Sequence, residues 1–193
     1  MTEDIASNSF CFQAGRMEGV WLIRPIFTED ARGYFSKSFE AEAFARRGIM
    51  LEPVEELESQ SARYTLRGLH FQRRHSQNKL IRVLSGEVYD AVVDIRPGSP
   101  TFGQWQSFRL SAENRRMLYI PKGFAHGFLA LREHTVIHYL CGDRYDPDSE
   151  DGILWNDPEL AIPWTLEPGH SPLLSQRDQK FQTFAQFRAS GGY

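Results

Sequence analysis

Between residues 52 and 141 turn-forming residues recur at short intervals, and the stretches between them are rich in β-branched and aromatic side chains. Ser85-Gly86, Pro97-Gly98-Ser99-Pro100 and Pro121-Lys122-Gly123 are the clearest breaks. The candidate strands between such breaks cover residues 66–72, 79–84, 87–96, 104–110, 116–120, 124–131 and 135–141. Strands this short and this closely spaced leave no room for crossover helices. They predict a sandwich or barrel.

The flanks are less regular. Residues 20–27 are a β-rich run that ends at a turn over Asp30-Ala31-Arg32-Gly33. Residues 40–47 have helical composition, with Gly48 as the C-cap. Residues 145–172 are rich in Pro, Asp and Trp and are expected to be ordered loop. Residues 176–187 are expected to form a short helix with Phe181, Phe184 and Phe187 on one stripe, and the tail 189–193 to fray. No repeat or linker divides the chain, so one domain over 1–193 is expected, with its core at about 19–178.

Charge and cysteine usage exclude several classes. A net charge of −3, with basic pairs no longer than Arg73-Arg74 and Arg115-Arg116, gives no electrostatic reason to bind nucleic acid or membrane. No apolar run is long enough to span a bilayer, and residues 1–10 lack the basic and apolar regions of a signal peptide. Two cysteines, Cys11 and Cys141, make no disulfide framework. A cytoplasmic location is the expectation.

Pro121-Lys122-Gly123-Phe124-Ala125-His126 has the form P-x-G-x-x-H and resembles the second motif of the cupin barrels, a jelly-roll class. Metal-binding cupins supply H-x-H and a Glu upstream. Here that stretch reads His70-Phe71-Gln72, with Lys79 in the Glu position. An ammonium repels a divalent cation, so no metal is expected. A cavity-facing Lys79 would instead stabilise a developing oxyanion. The pattern alone leaves ordinary roles open: Lys79 as an edge-strand surface lysine, His70 as a satisfied core histidine, Tyr139 as a barrel-lining aromatic.

Further blocks make the resemblance specific. Asp30-x-Arg32-Gly33-x-Phe35, Leu66-Arg67-Gly68-Leu69-His70-Phe71-Gln72, Lys79-Leu80-Ile81-Arg82-Val83, Val93-Asp94-Ile95-Arg96-x-Gly98-Ser99-Pro100, Leu110-Ser111-Ala112-Glu113-Asn114, Ile120-Pro121-x-Gly123-Phe124-Ala125-His126-Gly127-Phe128, Trp155-Asn156-Asp157-Pro158 and Leu174-Ser175-x-x-Asp178 occur in this order. Together they resemble the dTDP-4-dehydrorhamnose 3,5-epimerase family. The resemblance implies an all-β, cupin-like jelly-roll barrel with a few short peripheral helices. It also implies a cytosolic, cofactor-free, homodimeric enzyme acting on a nucleotide-diphosphate sugar. By the same resemblance His70 is the base, Asp178 its carboxylate, Tyr139 the proton donor and Lys79 the site lysine. Arg32, Phe35, Ser59, Arg67, Gln72, His126 and Tyr145 fall on substrate-binding positions.

The chemistry suits these residue types. A C4 ketone acidifies the C–H bonds at C3 and C5. A base on one face leaves an enolate, and a donor on the other face returns a proton with inversion. An imidazole, with an ordinary pKa of ~6.5, is a fitting base. A carboxylate on its second nitrogen fixes the tautomer. Ser175-Gln176-Arg177-Asp178 also has the form of a capping box, an alternative role for Asp178.

Departures from the family pattern gather around the ligand. Glu55, Leu57 and Tyr64 stand where Gln, Asn and Gly are usual, Lys37 where an acidic residue is usual, and Leu140 where a basic residue is common. The loop between Gln72 and Lys79 is one residue shorter. Retained chemistry on an altered ligand is the expectation: dTDP, GDP or CDP as nucleotide, with C3, C5 or both inverted. A non-catalytic sugar-binding cupin and a metal-dependent cupin isomerase or dioxygenase are the competing readings.

Overall fold

The computed structural model describes residues 5–6 and 9–192. Most of the segment on which the leader reading rests, and Tyr193 of the tail, lie outside the described residues. Among the described residues fourteen strands run from β1 to β14: Ile5–Ala6, Phe10–Ala14, Trp21–Pro25, Phe27–Asp30, Gly33–Ser36, Glu55–Ser61, Leu66–Gln72, Lys79–Ser85, Glu87–Asp94, Trp105–Ser111, Met117–Ile120, Phe124–Ala130, Thr135–Cys141 and Glu150–Gly152. Two short helices, α1 (Ala41–Ala45) and α2 (Phe184–Ala189), lie outside the sheets. A seven-stranded sheet has the order β1-β2-β3-β11-β8-β13-β6, and a five-stranded sheet the order β10-β9-β12-β7-β14. From β6 to β9, and again from β10 to β14, each strand changes sheet. All pairings between strands are antiparallel. This is the expected jelly roll.

Three apolar layers hold it together. Between the sheets lie Ile81, Val83, Val88, Val92, Leu110, Leu118, Phe124 and Phe128. Outside the five-stranded sheet, Ile153, Leu160, Ile162, Phe184 and Phe187 cover Leu69, Phe71, Tyr89, Ala91 and Val93. On the outer face of the seven-stranded sheet, Phe44 and Ile49 cover Phe10, Phe12, Ile23, Leu80 and Tyr119. Covering both faces explains why β9 and β12 read as near-continuous apolar runs rather than alternating ones. Within β9, Asp90 shares the interior face with Val88 and Val92.

The C-terminal region departs from expectation. In place of one helix over 176–187 there is a 3-10 turn at Asp178–Lys180, extended backbone at Phe181, and then α2. The capping box is Thr183 with Gln186, and it restarts the helix after the turn. Phe181 therefore leaves the stripe, while Phe184 and Phe187 stay in the core. The tail does not fray through Gly192, whose N–H bonds Phe187 O and whose carbonyl accepts from Arg73. Tyr64, where the family has glycine, holds a left-handed φ of 65°. That backbone costs a non-glycine residue about 1–2 kcal/mol. Ring contacts of 4.6 Å with His170 and with the Arg63 guanidinium offset it.

Candidate active site

A cavity of about 200 Å³ opens between the sheets and brings together Arg67, His70, Gln72, Lys79, His126, Tyr139 and Tyr145. The five-stranded sheet supplies His70 from β7 and His126 from β12. The seven-stranded sheet supplies Lys79 from β8 and Tyr139 from β13. His70 and Tyr139 thus come from opposite walls. Arg67 and His70 are three apart on β7, so regular alternation would send them to opposite faces. A register shift opposite His126 and Phe128 corrects this, and both reach the cavity. Gly68 sits at the shift with φ 130°, and a Cβ there would lie 2.5 Å from Gly127 Cα.

His70 Nε2 lies 2.8 Å from Asp178 Oδ1. A parallel bridge sets this meeting: Thr65 pairs with Leu173, and His70 and Asp178 each follow five residues later. Burial opposes ionisation of Asp178, but hydrogen bonds from His70, Ser175 and the Gly68 N–H hold its carboxyl below the ordinary value. The capping reading is half realised, because Ser175 Oγ accepts the Asp178 N–H at 3.0 Å while the carboxylate turns to His70. Phe181 meets the imidazole edge-on at 5.5 Å. The ring occupies space that a side chain at Gly152 would claim, since a Cβ there would stand 2.5 Å from it.

The opposite wall is tuned by burial. The Tyr139 hydroxyl lies 3.1 Å from Ser59 Oγ, and burial pushes its pKa up to about 12. It is therefore a protonated donor at neutral pH. Lys79 is held between the sheets, and burial lowers its pKa from the ordinary lysine value, against the opposing fields of Cys141 and Glu150. At the mouth, Arg67 is braced by Ser61 Oγ and Gln60 O, both at 3.2 Å.

Two acidic residues not singled out from the sequence belong to the site. Asp90 is fully buried and lies 2.8 Å from His126 Nε2. Its signal was a lone inward carboxylate in the apolar run of β9. Glu150 lines the cavity and accepts from the Tyr145 hydroxyl at 2.5 Å and from Arg177. Gln72, expected at a substrate-binding position, lines the cavity with its amide engaged: its Nε2 donates to His75 O and Arg144 O, and its Oε1 accepts from Asp146 N–H. It lines the cavity mainly as a brace for two loops.

Arg32 and Phe35 are not brought to this cavity. They lie on the β4–β5 hairpin, where Arg32 grips Asp30 and Phe35 is 78% exposed. Lys37 pairs with Glu40 at 2.5 Å. Among the described residues no group of three His, Cys, Asp or Glu is placed to hold a metal ion. His70 and His126, directly paired across β7 and β12, each commit Nε2 to a carboxylate, and a cation there would also face Lys79.

The family model for dTDP-4-dehydrorhamnose 3,5-epimerase matches residues 14–186. The chain is 48% identical over 167 residues to the dTDP-4-dehydrorhamnose 3,5-epimerase of Pseudomonas aeruginosa, covering 86% of this chain and 91% of that one. Its fold is similar to the crystal structure of dTDP-6-deoxy-D-glucose-3,5-epimerase from Legionella pneumophila in complex with dTDP-4-keto-L-rhamnose. That likeness has a TM-score of 0.89 and 42% identity, over 94% of this chain and 96% of that one. It is also similar to a 3'-monoepimerase from Streptomyces bikiniensis in complex with dTDP-quinovose, with a TM-score of 0.86 and 33% identity, over 92% and 89% of the two chains. Matching over nearly the whole jelly roll, cavity strands included, the chain belongs to the dTDP-4-dehydrorhamnose 3,5-epimerase family.

Proposed function

We propose that the chain inverts C3 and C5 of a dTDP-linked 4-keto-6-deoxy hexose, with His70 as base and Tyr139 as acid. The observation that carries this reading is the placing of His70–Asp178 and Ser59–Tyr139 on opposite walls of one cavity that also holds Lys79. Asp178 accepts the Nε2 proton of His70, which leaves Nδ1 to take the proton beside the ketone. The Lys79 ammonium stabilises the C4 oxyanion of the enolate. Tyr139 then protonates the other face, and the carbon inverts.

The cavity is smaller than the ~300–1,000 Å³ pockets that enclose drug-sized ligands. The sugar ring fits inside, and the nucleotide diphosphate leaves through the mouth past Arg67. A homodimer accounts for the hairpin: Arg32 and Phe35, exposed on their own subunit, would reach ligand at a partner's mouth. The activity belongs to the whole chain as one domain, because both sheets build the cavity. The protein acts in the cytoplasm without a cofactor. In support of that location, no helix among the described residues is long and apolar enough to cross a membrane, and both cysteines are free.

Likeness to a 3'-monoepimerase favours a second reading, inversion at C3 alone. Incubation with dTDP-4-keto-6-deoxyglucose in D2O, followed by NMR, separates the two. Deuterium at both C3 and C5 is expected. Deuterium at C3 only selects the monoepimerase, and none at either position overturns the epimerase reading.

A further inference from the structure

Asp178 reaches His70 on a segment with few anchors of its own. Leu166 and Leu174 pack against the core outside the five-stranded sheet, but residues 167–171 between them are exposed. This strap is held by residues 63–66, which lead into β7. Leu173 N–H donates to Tyr64 O at 2.9 Å, and Leu66 N–H donates to Leu173 O at 3.0 Å. The Arg63 guanidinium pairs with Glu167 and also lies 4.6 Å over the Tyr64 ring. The Tyr64 ring meets the His170 ring, with 4.6 Å between centroids. Two residues beyond Leu173, Ser175 Oγ accepts the Asp178 N–H, and Asp178 accepts from His70.

The backbone of Tyr64 serves two neighbours at once. Its N–H donates to Ala130 O on β12 at 2.8 Å, while its carbonyl accepts from Leu173. A left-handed φ of 65° aims both groups, at a steric cost to any side chain. The family's usual glycine adopts that φ freely and would keep both bonds. It would remove the ring on which His170 packs. What the tyrosine adds is therefore contact with the strap. Its hydroxyl is shut off from solvent and takes no hydrogen bond among the described residues, so the ring rather than the phenol oxygen makes that contact. Neither Tyr64 nor His170 lines the cavity.

We propose that Tyr64 is a positioning residue for proton abstraction: its ring clamps the strap at His170 and so holds Asp178 in register with His70. The proposal rests on the reading of His70 as base. It separates this chain from relatives with glycine at that position, in which backbone bonds alone would carry the strap. Loosening the clamp lets Asp178 drift from the imidazole without touching any ligand contact. The loss should therefore fall on kcat and spare KM.

The test compares the wild type, Tyr64→Gly, Tyr64→Phe and His170→Ala by steady-state kinetics, Tm and proton NMR of the His70 Nε2–H that Asp178 accepts. Tyr64→Gly is expected to lower kcat about 10–100-fold, with KM kept within about twofold and the imidazole N–H signal broadened by exchange with water. Its Tm should stay within about 4 °C, because glycine sheds the left-handed strain together with the ring contacts. Tyr64→Phe should restore both kcat and the signal. His170→Ala, at an exposed position, should repeat the Tyr64→Gly pattern to a lesser degree. A wild-type kcat and N–H signal in Tyr64→Gly overturn the proposal, as does a Tyr64→Phe variant that behaves like Tyr64→Gly. Should Tyr64→Gly fail to fold, His170→Ala decides by the same two readouts. Absence of turnover by the wild type would sink the epimerase reading, and the N–H signal would then decide for Tyr64 alone.

Discussion

His70 and His126 stand side by side on paired strands, each with a carboxylate oxygen 2.8 Å from Nε2, yet the two pairs are built differently. Asp178 arrives from 108 residues away, carried into register by the Thr65–Leu173 bridge, and its carboxylate gathers donors from His70, Ser175 and Gly68. Phe181 also packs against the His70 ring. Asp90 lies on the strand next to His126, is fully buried, and keeps one oxygen without a partner among the described residues. The His70 side chain is 23% exposed and that of His126 8%. Equal bond lengths therefore do not mark equal roles. The histidine whose carboxylate is itself fixed by further donors, and which is packed on its edge and more open to the cavity, is the one fitted to move protons.

Substitutions should separate the pairs. Asp178→Asn is expected to lower kcat by about 10³–10⁴-fold, the scale on which a wrong tautomer disables a Ser-His-Asp triad. Steady-state kinetics with an unchanged kcat and a lowered Tm would return Asp178 to a capping role. Lys79→Met comes next, with a loss of about 10²–10³-fold in kcat, as for one oxyanion donor, and a raised Tm. The sign follows from burial. Lys79 has a lowered folded pKa, so between that value and the ordinary lysine pKa the unfolded chain binds more protons and stability rises with pH. Denaturant titrations of the variant should lose that slope. A steeper slope, or a lower Tm, would contradict a buried ammonium. Asp90→Asn should have the smallest effect, a KM raised about tenfold with kcat nearly kept, because it acts on His126, which the family resemblance assigns to substrate binding rather than to proton transfer. A kcat loss matching Asp178→Asn would erase the distinction between the two histidines.

Strands were the most legible part of the molecule. Residues 66–72 and 135–141 coincide with β7 and β13, because turn residues bracket them and their burial is decided by local pattern. The cavity set was legible wherever a motif fixes a residue on a strand, as for His70, Lys79, His126 and Tyr139. Legibility failed where tertiary context overrides the local pattern. Alternation alone would have sent Arg67 away from the cavity, where a bulge at Gly68 turns it, and only its motif block placed it correctly. Two successive capping signals split the expected C-terminal helix and free Phe181 for His70. Asp90 could have been suspected, since an unpaired carboxylate in an apolar strand needs a buried partner.

The central claim is that His70 removes the proton and Tyr139 returns it from the opposite face. Deuterium incorporation and stereochemical inversion, followed together by NMR in D2O for His70→Ala and Tyr139→Phe, test it most directly. His70→Ala should show neither. Tyr139→Phe should still exchange the proton beside the ketone but invert the carbon far more slowly. Exchange that survives in His70→Ala, or that disappears together with inversion in Tyr139→Phe, would contradict the assignment.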